Sequence, residues 1–127
     1  MKIAVIILGH GSRSAGAETA VQAVVASMKK SGNDIVEHAF LQYVPPTPHE
    51  ALERCARQNA GRIVIVPFFL QAGAHVTRDI PELVDEARKA YPGIDIIVTD
   101  YVGTHPLMAK IVADLADKGS PGVRSSE

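Results

Sequence analysis

Four times along this chain a short strand-like run gives way to a stretch with helical spacing, and that alternation restricts the fold more than any other feature. Two of the runs, Ile3-Ala4-Val5-Ile6-Ile7-Leu8 and Ile63-Val64-Ile65-Val66, are the most apolar. Strands that alternate with helices imply a parallel sheet covered on both faces. Right-handed crossovers then leave few topologies. The expected architecture is a single-domain, flavodoxin-like α/β fold with a four-stranded parallel sheet. Its expected strand order is 2-1-3-4, with helices on both faces and a switch point between strands one and three.

The strands are expected over residues 2–8, 34–41, 61–68 and 94–99. Helix one is expected over 14–31, with Val21, Val24, Val25 and Met28 at helical spacing and Ser31-Gly32-Asn33 as its stop. Helix two opens at Thr47-Pro48-His49-Glu50, a capping box with proline at the first helical position. Leu52, Cys55 and Ala56 form its inner stripe. Helix three is expected to start near Asp79 and to bury Ile80, Leu83, Val84 and Ala87, with Tyr91-Pro92-Gly93 as its stop. Helix four is expected near Thr104, with Met108, Ile111, Val112 and Leu115 facing inward. The domain is expected to occupy residues 1–118, followed by a flexible tail over 119–127.

Composition excludes several classes. A chain of 127 residues that is 46% hydrophobic can bury one core unaided. Thirteen basic and 14 acidic residues argue against a nucleic-acid footprint, which needs a clustered basic surface. Three Phe, three Tyr and no Trp make a base-stacking platform an unpromising reading. Cys55 is the lone cysteine, so no intrachain disulfide or cysteine-rich metal site can form. The first apolar run is too short to span a bilayer and lacks a cleavage signature. A cytoplasmic protein without membrane or nucleic-acid partners is the expectation.

In open α/β sheets ligands bind beyond the carboxyl ends of the strands at the switch point. Strand one runs into Gly9-His10-Gly11-Ser12-Arg13, and strand three into Pro67-Phe68-Phe69-Leu70-Gln71-Ala72-Gly73-Ala74-His75. His10 and His75 would then face one crevice, where two imidazoles can hold a divalent metal or move protons near neutral pH. Gly11, Ser12, Arg13 and the helix N-terminus offer a seat for a carboxylate or phosphate. On spacing alone, the same residues also suit a tight turn that caps a helix. His75 by itself equally suits a loop histidine bonded to backbone. The loop from Phe69 to Arg78 reads as longer than a typical βα connection, with an apolar wall at Phe68, Phe69 and Leu70 and a cation at Arg78.

Other positions read as secondary. Gln42 and Tyr43 end strand two before the rigid Pro45-Pro46 rim, and packing is the plainer role for Tyr43. His105 reads as a first-turn residue of helix four, and His38 and His49 as peripheral. No nucleophile elbow, P-loop or dinucleotide fingerprint is present. Two histidines fall short of a permanent zinc site and suit a metal held briefly and released.

Leu8-Gly9-His10-Gly11-Ser12-Arg13 resembles the opening motif of the small CbiX-type sirohydrochlorin chelatases. Val66-Pro67-Phe68-Phe69-Leu70 followed by Gly73, His75 and Asp79-Ile80-Pro81, and then Gly103-Thr104-His105-Pro106, resemble its later landmarks. The resemblance implies a lyase that inserts Co²⁺ or Fe²⁺, and in some members Ni²⁺, into sirohydrochlorin for cobalamin, sirohaem or related tetrapyrroles. The metal is a substrate, and no permanent cofactor is implied. The resemblance also implies a homodimer, because short members correspond to one half of the two-lobed chelatases. His10 and His75 match the metal-binding and catalytic histidines. Gly11, Ser12, Arg13, Gln42, Tyr43, Phe69, Leu70 and Arg78 would contact the tetrapyrrole. One departure stands out: many members carry glutamate where this chain has Gln42, which can neither act as a base nor add charge. A histidine-rich insert of some short members is also missing. A non-catalytic tetrapyrrole or metal carrier is the main rival reading. An enzyme phosphorylated on His10 is a weaker one.

Overall fold

The computed structural model describes residues 1–13, 18–71 and 73–119, and of His75 the backbone alone. The expected start of helix one over residues 14–17, and the tail beyond Gly119, lie outside the described residues. The elements are β1 (Lys2–Gly9), α1 (Thr19–Lys30), β2 (Ile35–Phe40), α2 (Pro48–Arg57), β3 (Ala60–Pro67), α3 (Ala74–Ala90), β4 (Asp95–Val98) and α4 (Leu107–Asp117). The four strands form one parallel sheet in the order β2-β1-β3-β4, as the alternation of elements requires.

Register follows the apolar pattern. Ala4 pairs with Ile35 and with Ile63, and Ile63 pairs with Ile96, so one row of small and branched side chains crosses the whole sheet. Successive side chains of a strand point to opposite faces. Ala4, Ile6, Leu8, Ile63 and Ile65 therefore share a face with Ala51, Leu52 and Cys55 of α2 and Leu83, Val84 and Ala87 of α3. Ile7, Val36 and Phe40 face the other way, onto Val21 and Val25 of α1. Leu8 and Ile63 are fully buried, which explains why both central runs lack polar residues.

Local chemistry sets the helix ends. The Thr47 hydroxyl accepts from the Glu50 N–H at 3.2 Å, and the Glu50 carboxylate accepts from the Thr47 N–H at 3.4 Å. Gly32, at φ +96°, takes the left-handed conformation just past α1, where an L side chain is strained.

Two expectations need correction. First, α3 starts at Ala74, not near Asp79. Gly73 is its N-cap, and both the Thr77 N–H and the Thr77 hydroxyl donate to the Gly73 carbonyl at 3.0 Å. Pro81, a residue favoured in first turns, sits inside the helix instead and gives up one hydrogen bond. The connection after β3 is thus shorter than expected, and His75 belongs to a helix.

Second, α4 begins at Leu107 after a 3₁₀ turn over Val102–Thr104, and none of its residues is buried. Met108 is half-buried, and Ile111, Val112 and Leu115, expected to face inward, are exposed. The face of the sheet bearing Val64, Val66 and Ile97 is covered by α1 at one end only, and Ile97 is itself exposed. No helix among the described residues is long and apolar enough to cross a membrane.

Candidate active site at the carboxyl ends of β1 and β3

β1 delivers His10 to the edge of the sheet, and the neighbouring loop holds it there. The Leu41 N–H donates to the Gly9 carbonyl at 3.0 Å, and the Gln42 N–H donates to the His10 carbonyl at 3.1 Å. The β1–β2 ladder thereby continues past both strands and brackets His10 by its backbone. Gly11 then turns at φ +89° so closely that a Cβ would lie 1.8 Å from the Gln42 carbonyl oxygen. Only glycine fits such an approach. The His10 side chain is exposed, and its ring packs against the Phe69 ring in a T-shaped arrangement, with centroids 5.1 Å apart and planes at 61°.

A cavity of about 630 Å³ opens beside His10. Its walls are Leu41, Gln42, Thr47, Pro48 and His49 on one side and Val76, Asp79, Glu82, Leu83 and Glu86 of α3 on the other. Three carboxylates and no lysine or arginine line it among the described residues. His49 Nε2 stands 3.8 Å from Glu86 Oε2 across the mouth. Such a wall attracts cations and repels anions. Among the described residues no three His, Cys, Asp or Glu groups gather into a ready metal cage.

The other side of His10 has a different character. A smaller cavity of about 290 Å³ is lined by Gly9, Gly11, Ser12, Val21, Phe40 and Phe68 together with His10. Arg13 follows Ser12 in the chain, with its guanidinium 4.6 Å above the Tyr43 ring. Tyr43 takes the left-handed conformation at φ +72°, uncommon for a bulky residue, and is more than half exposed. Strained exposed residues of this kind collect at functional sites. Tyr43 thus lies outside the buried core, with Arg13 over its ring.

The chain is 37% identical over 111 residues to the chloroplastic sirohydrochlorin ferrochelatase of Arabidopsis thaliana, covering 87% of this chain and 49% of that one. It is 32% identical over 124 residues to the sirohydrochlorin cobaltochelatase of Methanococcoides burtonii, covering 91% and 95%. Among solved structures, the sirohydrochlorin chelatase SirB from Bacillus subtilis subspecies spizizenii, in complex with cobalt, superimposes with a TM-score of 0.82 at 32% identity. That match covers 94% of this chain and 51% of SirB. The CbiX family model matches residues 4–118.

The chain belongs to the CbiX family.

It spans about half or less of the length of the first curated relatives it matches. Short CbiX-like relatives are covered over nine-tenths of their length.

The structure gathers some of the expected site residues and separates others. His10 and Gln42 line one cavity, and Val76, next to His75 in the first turn of α3, lines it too. Gly11 and Ser12 line the smaller cavity, and Arg13 reaches Tyr43. The expected apolar wall is not one surface. Phe68 packs with the α1 layer, Phe69 is buried in the α2–α3 layer, and Leu70 alone is exposed. Consecutive extended residues point to opposite sides, so three in a row cannot share one face. The Phe69 ring lies against the His10 ring. Arg78 is exposed on α3 with Nε 3.8 Å from Asp79 Oδ1.

His49, read as peripheral in the sequence, lines the main cavity. Asp79, Glu82 and Glu86 were not expected there at all. With α3 beginning at Ala74, His75, Asp79, Glu82 and Glu86 recur at the three- and four-residue spacing that places residues on one helical face. That stripe is readable in the sequence once the helix start is known.

Proposed function

We propose that this chain inserts a divalent metal, cobalt or iron, into sirohydrochlorin. The observation that carries the reading is His10, exposed between two unlike cavities in a CbiX chain. The carboxylates of Asp79, Glu82 and Glu86 draw the cation in, with His49 at the mouth. The flat macrocycle, edged with carboxylates, avoids that wall and takes the opposite side, where Arg13 meets its acids and Tyr43 and Leu70 meet its ring. Arg78, in the second turn of α3, is the further cation we assign to those acids. His10 and His75 hand the metal to the ring nitrogens. Insertion releases two pyrrole protons, and a neutral imidazole accepts them near pH 7.

Gln42 supports the carrier as a second reading, because this cavity has an amide where many relatives supply an acid. We place the chelatase first, since the carboxylates of α3 supply charge from the other wall. We also propose that the active species is a homodimer, as the half-length match to long relatives suggests.

One assay separates the readings. Purified chain is mixed with sirohydrochlorin and Co²⁺, and the visible spectrum is followed. The enzyme accelerates the metallation change, and His10→Ala lowers the rate by about 10²–10⁴, the usual scale of a lost acid–base group. Gln42→Glu raises the rate at neutral pH, since an anion beside an imidazole raises its basicity. Binding of tetrapyrrole without any acceleration would refute catalysis and leave the carrier.

A further inference from the structure

We propose that Tyr43 is a positioning residue whose ring holds the Arg13 guanidinium ready for a carboxylate at the rim of the macrocycle. The inference rests on the proposed function above and names how one edge of the substrate is recognised. The central carbon of the Arg13 guanidinium lies 4.6 Å from the centroid of the Tyr43 ring, within the range of a cation–π contact. None of the ion pairs among the described residues involves Arg13. The fork of a guanidinium meets a carboxylate through two parallel hydrogen bonds, and the acids of sirohydrochlorin lie around its rim. Arg13 follows His10 by three residues. Three residues of extended chain span at most about 11 Å, comparable with the reach from the middle of a tetrapyrrole to its acids. His10 at the ring nitrogens and Arg13 at the rim can therefore serve one bound macrocycle.

The backbone is bent to put the Tyr43 ring there. The Val44 N–H donates to the Gln42 carbonyl at 2.9 Å and closes a three-residue γ-turn with Tyr43 at its centre. Its φ of +72° belongs to the rarer, strained form of that turn. Both ends of the turn are fixed. Gly11 lies directly against the same Gln42 carbonyl oxygen, and the Gln42 N–H donates to the His10 carbonyl. Val44 packs against the cluster of Val21, Val36 and Phe40, and the Phe40 N–H donates to the Pro46 carbonyl at 2.9 Å. Surroundings that over-determine a residue can keep it strained. The Tyr43 ring is more than half exposed, so its own burial does not offset that strain. What the turn achieves is the placement of the ring at Arg13. A loose arginine side chain loses rotamer freedom when it binds, which weakens the complex. Tyr43 removes part of that loss before the substrate arrives.

The test is a fluorescence titration of sirohydrochlorin with metal-free chain, in a double-mutant cycle of Arg13→Ala and Tyr43→Asn. Asparagine tolerates the left-handed conformation, so the turn outlives the ring. Arg13→Ala is expected to raise Kd about tenfold or more, the scale of a lost hydrogen bond to a charged group. Tyr43→Asn is expected to raise it about three- to tenfold, the scale of a lost cation–π contact. The double variant is expected to bind within about twofold of Arg13→Ala, because the ring then has nothing to hold. Tyr43→Phe keeps the ring and is expected to restore binding. Without substrate, the ring current is expected to move the Arg13 side-chain proton resonances upfield in the unaltered chain and in Tyr43→Phe, but not in Tyr43→Asn. Losses that multiply in the double variant overturn the positioning role, as does a Tyr43→Phe that binds as weakly as Tyr43→Asn. Absence of the upfield shift overturns the stack itself. A chain that binds sirohydrochlorin but inserts no metal refutes catalysis and leaves this inference standing. One that binds none refutes both, while the resonances still report the stack.

Discussion

Replacing Gly11 with alanine should disable the site while sparing the core. The new Cβ would lie 1.8 Å from the Gln42 carbonyl oxygen, about 1.6 Å inside the 3.4 Å at which ordinary contact begins. That oxygen is backbone, and the same loop is tied to Gly9 and His10 by the Leu41 and Gln42 N–H groups. It cannot yield without moving His10. The φ of +89° adds strain of about 1–3 kcal/mol for a residue with a side chain. Displacement on the order of 1 Å at a reacting group costs about 10²-fold in rate. Initial rates of cobalt insertion, read by absorbance, should fall on that scale, while thermal unfolding remains cooperative with a Tm lowered by several degrees. Gly93→Ala is the control, because a Cβ there meets nothing within 4 Å. An alanine at position 11 with a rate within twofold of the unaltered chain would refute the idea that this turn positions His10.

Two further predictions concern titration and reactivity. Desolvation of the His38 imidazole lowers its pKa from 6.5; Glu37 opposes that shift, and Arg54 and Lys29 add to it. The unfolded chain therefore takes up this proton first as pH falls through 6.5, and the native state loses stability from there down to the folded pKa. His38→Gln should flatten the fall in Tm between neutral and mildly acid buffer, and an unchanged pH profile would count against it. Burial, helped by the Glu37 charge, pushes the Cys55 thiol up to about 12. A thiol reagent at pH 8 should leave the native chain unlabelled and label one cysteine per chain in denaturant; rapid native labelling would contradict the buried position.

Strand order and capping were legible because they follow from local chemistry. The apolar runs before Gly9 and Pro67 are short, rich in branched residues and bounded by Gly and Pro, as buried strands are, and Thr47-Pro48-His49-Glu50 caps α2 as its pattern says. The start of α3 was not legible, because Gly73 caps it by backbone conformation and Pro81 mimics a later beginning. That boundary kept His75 off the helix that carries Asp79, Glu82 and Glu86, and nothing local tells that this helix face and His49 line one cavity, because the cavity forms only when α2 and α3 pack side by side. The apolar side of α4 was legible as a stripe, but its burial was not, because periodicity marks an apolar face without fixing how closely the helix lies on the sheet. Phe68 and Phe69 were merged into one wall because their opposite orientation depends on the pleat continuing past β3.

β1 is made before the two strands it pairs with and sits between them in the sheet, with Ile3 beside Arg62 and Leu8 beside Pro67. That contact joins distant parts of the chain, and closing so long a loop is slow compared with forming a helix. During synthesis the most apolar stretch therefore waits with one edge unpaired until β3 has emerged. Unpaired strand edges and uncovered apolar surface are what make partly folded chains aggregate. The segment from Ala60 to Pro67 thus acts as the latch of the whole molecule. A nascent chain stalled before it would hold His10 on a strand that has not yet found its second neighbour.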